Sequence, residues 1–272
     1  MTSNPKAVIV TGAASGIGLA MTMGLVTSGH DVTAVDRNAT ALAELTKQAV
    51  GLKGRVQTII ADLAHPESFA HVTGTALITY GRIDALVNNA GIGQTALREG
   101  LTTPIRLWET TPEQWARFVA INATAPINMA RAVLPYMLAA KKGRIVTVTT
   151  SLGTMVREGF LLYGSSKAAA ESAMAVLAAD LAGTGVTSNV LVPGGVTDTG
   201  MVGDAPNRDK MLKPAIMVPP LTWLLSDEAR AVNGKRFIAA DWDLKLPPAQ
   251  AAEKAGAPIA WLSIARMPIE PT

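Results

Sequence analysis

The 272-residue chain contains no cysteine. This absence excludes disulfide bonds, thiolate catalysis and cysteine-ligated metal sites. Its three histidines, His30, His65 and His71, are scattered without the spacing of metal ligands. We therefore expect no bound metal.

Charge and long apolar runs are also scarce. Charged residues make up 17% of the chain, the formal net charge is +3, and no basic run exceeds the pair Lys141-Lys142. A small, dispersed excess of this kind is typical of a solvated surface rather than of a nucleic-acid-binding patch. No apolar stretch approaches the roughly 20 residues of a membrane span, and the polar N-terminus does not resemble a signal peptide. We expect a cytoplasmic protein without nucleic-acid or membrane partners.

Apolar patterning is plentiful, since 49% of the residues are hydrophobic. Short apolar runs alternate with longer amphipathic ones, which predicts an α/β fold with a doubly wound parallel sheet and helices on both faces. The predicted strands are residues 7–10, 31–35, 56–60, 83–87, 144–148, 186–192 and 232–238. The predicted helices are residues 19–28, 39–50, 67–80, 113–140 and 166–182.

One predicted helix carries a sign of irregularity. Pro126 lies inside the helix predicted over 113–140, shortly after Asn122. Because proline has no backbone N–H and its ring clashes with the preceding turn, we expect a kink or local opening there.

A glycine-rich segment follows the first predicted strand. Gly12, Gly16 and Gly18 stand at a strand-to-helix turn, where glycine lets the backbone approach a pyrophosphate and helix N–H groups point at it. The spacing is G-x-x-x-G-x-G rather than the commoner G-x-G-x-x-G, and a glycine-rich turn without a ligand is the alternative.

Asp36 weighs against that alternative. It closes the second predicted strand, where a carboxylate can accept from the ribose 2′-hydroxyl of NAD and repel the 2′-phosphate of NADP. Arg37 could pair with that phosphate, but the glycine segment carries Ser15 and no basic residue. We therefore predict NAD(H) in preference to NADP(H). Asp62 and Leu63 would flank the adenine, with helix capping as the alternative for Asp62.

Tyr163 and Lys167 place a phenol and an ammonium four residues apart, which makes them neighbours on one face of a helix. A nearby cation favours the phenolate and lowers the pKa of tyrosine, so Tyr163 can carry a proton near neutral pH. The alternative is that Tyr163 and Lys167 are simply exposed neighbours on a helix, without a catalytic role. The position favours a site, because the pair follows a predicted strand that ends in hydroxyl residues.

The chain resembles the short-chain dehydrogenase/reductase family over about residues 5–200. The segments that carry the resemblance occur in the family's order, and they are residues 11–18, Asp62, residues 88–91, Asn122, the hydroxyl residues before Gly153, Tyr163 with Lys167, and Pro193 with Gly194. The resemblance implies a single-domain Rossmann fold over residues 1–243. Residues 244–272 are then a C-terminal extension that packs on the same or a neighbouring subunit.

The resemblance also implies a catalytic set of Asn122, Thr150, Tyr163 and Lys167. In that set Lys167 tunes Tyr163 and binds the nicotinamide ribose, and Asn122 holds a water of a proton relay. Together, motifs and resemblance predict the cofactor-binding residues Gly12, Ser15, Gly16, Ile17, Gly18, Asp36, Arg37, Asp62, Leu63, Asn89, Ala90, Gly91, Tyr163, Lys167, Pro193, Gly194, Val196, Thr197 and Thr199. Thr197 and Thr199 are alternatives for holding the nicotinamide carboxamide.

The sequence departs from the family at the catalytic serine. The expected position, 13 residues before Tyr163, is Thr150, and Ser151 stands next to it. Adjacent side chains at a strand end point in opposite directions, so only one of them can face the substrate. We predict Thr150, with a one-residue shift to Ser151 as the alternative.

These features predict an NAD(H)-dependent oxidoreductase that interconverts a secondary alcohol and a ketone, in a homotetramer. A lyase or epimerase that uses NAD transiently and a non-catalytic dinucleotide sensor are the alternatives. We expect an uncharged substrate, with Arg157 on the surface. The predicted pocket wall is Leu152, Met155, Phe160, Leu161, Leu162 and Met201.

Overall fold

The computed structural model describes residues 5–98 and 104–264. Within these residues, eight strands form one sheet in the order β3-β2-β1-β4-β5-β6-β7-β8. The strands are β1 (Ala7–Thr11), β2 (Asp31–Asp36), β3 (Val56–Ile60), β4 (Ala85–Asn88), β5 (Gly143–Val148), β6 (Val186–Val192), β7 (Lys235–Ile238) and β8 (Gly256–Pro258).

The strand order confirms the doubly wound α/β fold. From β1 the chain builds outward through β2 to β3, then returns to the other side of β1 with β4 and continues outward. All neighbouring strands are parallel except β7 and β8, which are antiparallel. The reversal between β1 and β4 opens a crevice at their carboxyl ends, which is where such sheets bind ligands.

Helices cover both faces of the sheet. The α-helices are α1 (Gly16–Thr27), α2 (Ala39–Gln48), α3 (Glu67–Tyr80), α4 (Pro112–Val119), α5 (Ala125–Ala139), α6 (Leu152–Met155), α7 (Leu161–Asp180), α8 (Val218–Leu225) and α9 (Pro248–Ala255). Single 3₁₀ turns occur at Gln94–Ala96, Leu107–Glu109, Gly200–Val202, Arg208–Lys210, Pro214–Met217 and Ala239–Asp241.

A π-helical turn, Ala120–Thr124, separates α4 from α5. The continuous helix predicted over 113–140 is therefore divided, at the place where Pro126 predicts an opening. Pro126 has no N–H for the carbonyl of Asn122 four residues earlier, so an undisturbed α-helix cannot form there.

Alternating strand residues fill two apolar layers. Val8 and Val10 of β1 lie in the layer that contains Leu25 of α1, whereas Ile9 lies in the layer of Met129 on α5. A sheet whose two faces are both buried matches the near-continuous apolar strands of the sequence.

The C-terminal extension packs on its own chain as far as residue 260. β8 pairs with β7, the edge strand of the parallel part, and the N–H of Ile259 donates to the Gly234 carbonyl at 3.0 Å. The Ile259 side chain is fully buried in the layer beneath α7. Among the described residues, no helix is long and apolar enough to cross a membrane.

Candidate active site

A cleft of about 940 Å³ lies at the carboxyl ends of the central strands. It brings together the predicted site residues from both halves of the sheet, apart from Gly18 and Asn122, which lie behind its wall. Across residues 5–98 and 104–264, no cluster of three or more acidic or histidine side chains is arranged to hold a metal.

The glycine loop is held against β4. Gly12 and Gly16 have positive φ values of 62° and 51°, a conformation that glycine adopts without steric cost. A Cβ on Gly12 would lie 2.8 Å from the Ala90 backbone. The Asn89 amide donates to the carbonyls of Thr11 and Gly12 at 3.0 and 3.1 Å, which fixes the loop beside the residues that follow β4.

Gly18 does not line the cleft, and its place in the fold requires close packing. A Cβ at this position would lie 1.9 Å from the Gly12 carbonyl oxygen and 2.5 Å from the Asn89 amide nitrogen. Only glycine therefore lets the start of α1 pack this closely on β1.

The first turn of α1 suits a pyrophosphate. Ser15 at the N-cap of this 12-residue helix makes no side-chain hydrogen bond to the first turn, so the hydroxyl does not satisfy its N–H groups. Gly12, Ser15, Gly16 and Ile17 all line the cleft. Free helical N–H groups beside a glycine loop are an anion-binding arrangement, and the residues present fit a dinucleotide.

The Asp36 carboxylate lies next to the glycine loop. It accepts from the backbone N–H of Ala14 at 3.1 Å and from that of Asn38 at 3.0 Å. Each carboxylate oxygen keeps acceptor capacity for a ligand hydroxyl. Arg37 is exposed at the rim. Asp62 lines the cleft and also accepts from the Ala64 N–H at 2.9 Å. It does not cap the helix that follows, because the N-cap of α3 is Pro66.

Asn122 joins the segment after β4 to α7. Its amide oxygen accepts from the Ile92 N–H at 2.9 Å, and its amide nitrogen donates to the Ile92 carbonyl and to the Ser166 hydroxyl, both at 3.0 Å. Both amide N–H groups are thereby used. Because Pro126 supplies no N–H, the Asn122 backbone carbonyl lacks the donor that an α-helix would provide.

Lys167 is buried on α7, with its ammonium donating to the Val148 carbonyl at the end of β5 at 3.0 Å. Burial lowers the pKa of Lys167 from its usual 10.5 to about 8. The ammonium carries three N–H groups, and the residue lines the cleft, so donors remain for ligand hydroxyls.

Tyr163 differs from the sequence-based expectation. Burial raises the pKa of its phenol, and a hydrogen bond with Thr150 opposes the shift. The expected lowering by Lys167 is wrong for the cofactor-free protein, because removing the phenolate from water outweighs the favourable contacts.

The two candidate hydroxyls have separate partners. Ser151 is exposed and caps α6, where its oxygen lies 2.6 Å from the Thr154 hydroxyl and accepts from the Thr154 N–H at 3.3 Å. Thr150 opposes the rise in the pKa of Tyr163. Both residues line the cleft, so the choice of Thr150 stays a prediction.

The predicted substrate wall is only partly right. Phe160 and Met201 line the cleft, whereas Leu152, Met155, Leu161 and Leu162 do not. Arg157, predicted on the surface, is exposed but also lines the cleft, with its guanidinium 4.7 Å from the centre of the Phe160 ring. Thr197 and Thr199 both line the cleft, so the choice between them stays open.

Two buried charged residues near the site were not predicted from the sequence. Glu171 and Arg236 form an ion pair behind Thr150. Glu171 follows Lys167 by four residues in an alanine-rich helix, a spacing that places both on one face and could have identified it. Arg236 lies in β7 with no local signal of its role.

Comparisons with known proteins extend over most of the chain. A family described as short chain dehydrogenase matches residues 6–210. The 3-oxoacyl-(acyl-carrier-protein) reductase of Thermotoga maritima is 32% identical, covering 85% of this chain and 94% of the relative. The D-threitol dehydrogenase of Mycolicibacterium smegmatis is also 32% identical, covering 86% of this chain and 90% of the relative.

Solved structures show the same fold. A metagenomic short-chain oxidoreductase in complex with NADP superposes with a TM-score of 0.73 at 26% identity, covering 88% of this chain and 98% of the other. A 3-ketoacyl-(acyl-carrier-protein) reductase from Brucella melitensis, complexed with NADH, has a TM-score of 0.74 at 23% identity and covers 86% of this chain and 95% of the other. One of these two neighbours was solved with NADP and the other with NADH.

Proposed function

This chain belongs to the short-chain dehydrogenase family and is an oxidoreductase, and from that premise we propose that it interconverts a secondary alcohol and a ketone with NAD(H). One observation carries the proposal. Thr150, Tyr163 and the buried Lys167 all line the same cleft as the glycine loop. A nucleotide-binding module without chemistry would not require this arrangement.

Tyr163 is the proposed acid and base. NAD(H), when bound, accepts or supplies the hydride. Burial raises the pKa of the Tyr163 phenol and so favours the protonated form, which donates a proton when a ketone is reduced. The Thr150 hydroxyl holds the substrate oxygen next to the phenol, so that the proton moves over a single hydrogen bond.

Lys167 and Asn122 support that transfer. Lys167 binds the nicotinamide ribose with the N–H groups that Val148 does not use. The proposed role of Asn122 is to hold a water that connects Tyr163 to solvent. Because its side-chain amide is engaged by Ile92 and Ser166, the proposed water ligand is the backbone carbonyl, to which Pro126 cannot donate.

Asp36 supports a preference for NAD(H). A carboxylate between Ala14 and Asn38 can accept from the ribose 2′-hydroxyl, whereas a 2′-phosphate would bring like charges together. Arg37 at the rim favours NADP instead, and the metagenomic oxidoreductase at 26% identity binds NADP. The two cofactors are therefore compared directly in the test below.

The substrate end favours a largely uncharged molecule. Phe160 and Met201 provide apolar contact, and Arg157 stacks on Phe160 at the exposed side. A secondary alcohol or ketone of moderate size fits this wall, with Arg157 near its outer end.

A homotetramer in the cytoplasm completes the proposal. Large apolar side chains are exposed on three helices: Trp115 on α4, Tyr136 and Leu138 on α5, and Val176 on α7. Such side chains are candidates for burial between subunits. Light scattering at micromolar concentration tests this; a monomer would contradict it.

A substrate panel tests the reaction. Each of four compounds is combined with NAD(H) and with NADP(H), and the absorbance of the nicotinamide is followed. The compounds are cyclohexanol, D-threitol, 3-hydroxybutyrate and an acetoacetyl thioester. We expect turnover with at least one uncharged alcohol and NAD⁺. Product formation without net change in NADH would favour the lyase or epimerase, and 3-hydroxybutyrate as the best substrate would overturn the uncharged class.

A further inference from the structure

A buried ion pair lies directly behind the proposed catalytic hydroxyl. Nη1 of Arg236, on β7, lies 2.5 Å from Oε2 of Glu171, on α7, and their side chains are 5% and 0% exposed. A buried pair of this kind adds little net stability compared with well-packed apolar residues of similar size. Its presence next to the active site therefore points to a role other than stability.

The pair is part of a hydrogen-bonded network. Glu171 Oε2 also accepts from the Thr149 hydroxyl at 2.6 Å, and Oε1 accepts from the Ala260 N–H at 3.1 Å. Arg236 Nη2 donates to the Thr150 carbonyl at 2.5 Å. Two consecutive residues are thus held from behind, one by its side chain and one by its backbone.

The segment needs this support because the strand has already ended. β5 stops at Val148, and its last paired residue is Val148 opposite Leu191. The Thr150 carbonyl therefore bonds a guanidinium in place of a neighbouring strand. A carbonyl held in this way fixes the peptide plane, and with it the direction in which the Thr150 side chain leaves the backbone.

One face of α7 serves the whole arrangement. Tyr163, Lys167 and Glu171 follow at intervals of four residues, so their side chains lie along one face of the helix. Tyr163 lines the cleft together with Thr150, Lys167 donates to the carbonyl of Val148, and Glu171 accepts from the Thr149 hydroxyl. The same helix thus carries the proposed acid, Tyr163, and the residue that helps to hold the segment of Thr150, Glu171.

The C-terminal extension reaches this network from the other side. Ala260 has a positive φ of 54°, which is unusual for a residue other than glycine. The turn that it makes points its N–H at Glu171, directly after the buried Ile259.

We propose that Arg236 and Glu171 are positioning residues that hold Thr149 and Thr150 so that the Thr150 hydroxyl meets Tyr163, and that the C-terminal extension completes this support through Ala260. The inference rests on the proposed function, because it takes Thr150 and Tyr163 as the groups that contact substrate.

The main test removes both charges together. Arg236→Met alone leaves a buried, unpaired carboxylate and is expected to fold poorly, whereas Arg236→Met/Glu171→Met leaves no unpaired charge. For this double variant we expect an unfolding temperature within a few degrees of the parent, unchanged NADH binding by fluorescence titration, and at least a tenfold lower kcat on the fastest alcohol among cyclohexanol and D-threitol.

Two further readouts separate positioning from packing. First, Thr150→Val in the double variant should lower kcat little further, because Thr150 is already misplaced. Second, the phenol of Tyr163, followed as the ultraviolet difference between each enzyme and its Tyr163→Phe counterpart, should titrate at higher pH in the double variant. The reason is that the Thr150 hydrogen bond lowers the pKa of Tyr163.

A matched control uses an ion pair at the other end of the sheet. Arg55 bonds both oxygens of Asp31 at 2.9 and 2.7 Å, and Arg55→Met should leave kcat and the Tyr163 titration unchanged. Ending the chain after Pro258 removes the Ala260 donor and should shift the Tyr163 titration in the same direction as the double variant.

Each outcome decides the inference. The inference is overturned if the folded double variant keeps the parent kcat and the parent Tyr163 titration. It is also overturned if adding Thr150→Val to the double variant lowers kcat by the same factor as Thr150→Val does in the parent. Inactivity of the parent enzyme on every alcohol would instead refute the proposed function, while the phenol titration would still report whether the network positions Thr150.

Discussion

The cleft has two halves that are held by different kinds of contact. The glycine-loop half consists of the ends of β1, β2 and β4. It is held mostly by amides and backbone groups, such as Asn89 on Thr11 and Gly12, with one carboxylate, Asp36, that accepts from Ala14. The tyrosine half consists of the end of β5 and the start of α7. It contains the half-buried Tyr163 and three buried ionisable residues, Lys167, Glu171 and Arg236.

The difference follows from what each half must do. Binding a dinucleotide requires backbone N–H groups in a fixed cradle, which glycines and a helix terminus provide at little cost. Moving a proton requires ionisable groups, and excluding water from them disfavours their charged forms. Burial thus raises the pKa of Tyr163 and lowers that of Lys167, and the buried ammonium is expected to lower the stability of the tyrosine half.

The largest effect should come from removing the proton carrier. Tyr163→Phe keeps the ring, and we expect a loss of about 100- to 10,000-fold in kcat because general acid–base catalysis typically contributes that much. NADH binding, measured by fluorescence, should change little, because the glycine-loop half is untouched. Tyr136→Phe, at a 47% exposed position on α5, is the control. Substantial turnover by Tyr163→Phe would remove Tyr163 from its role.

The second effect should separate the two neighbouring hydroxyls. Thr150→Val should lower kcat by about 100-fold, as loss of one well-placed donor to the reacting oxygen does. Ser151→Ala should lose little activity, since Ser151 caps α6, and Thr150→Ser should remain active because it keeps the hydroxyl. Steady-state rates of the three variants decide the matter; the reverse ranking of the first two would move the role to Ser151.

The third effect concerns the glycine-loop half. Asp36→Ala removes both the acceptor for the 2′-hydroxyl and the charge that repels a 2′-phosphate, so the preference for NAD(H) over NADP(H) in kcat/KM should fall by about tenfold. Glu44→Ala, in an exposed pair with Lys47 on α2, should leave the ratio unchanged. Equal efficiency of the parent with both cofactors would contradict the assigned preference.

Much of the fold follows from local patterns. The bounds of β3 and β6 agree with the predicted runs 56–60 and 186–192, and Pro126 indicates where the long helix opens. β8 could not be predicted, because its Gly-Ala-Pro sequence has no strand pattern. β8 forms because β7 is the last strand of the parallel part and offers an edge to pair with. The burial of Ile259, which follows β8, adds to this pairing.

The site divides in the same way. The glycine loop depends on residues close together in sequence, so spacing alone predicts it. Glu171 and Arg236 are 65 residues apart, and only the fold brings them behind Thr150. The pKa of Tyr163 depends on burial by several distant segments, which the spacing of Tyr163 and Lys167 does not reveal.

The smallest effect tests whether the tyrosine half loses stability through its burial of Lys167. The folded-state pKa of about 8 lies below the usual 10.5, so the cost of the buried ammonium is complete below pH 8 and disappears as the pH rises toward 10.5. This difference in pKa limits the destabilisation of the folded state to roughly 3 kcal/mol.

Lys167→Met removes that destabilisation but also the bond to Val148. We expect about 1 kcal/mol of added stability at pH 7, with activity lost. Urea unfolding at a series of pH values should show the gain shrinking toward pH 10.5, whereas Lys47→Met, at an exposed lysine, should show no such trend. A gain independent of pH, or a less stable variant at pH 7, would mean that burial of Lys167 does not weaken this half.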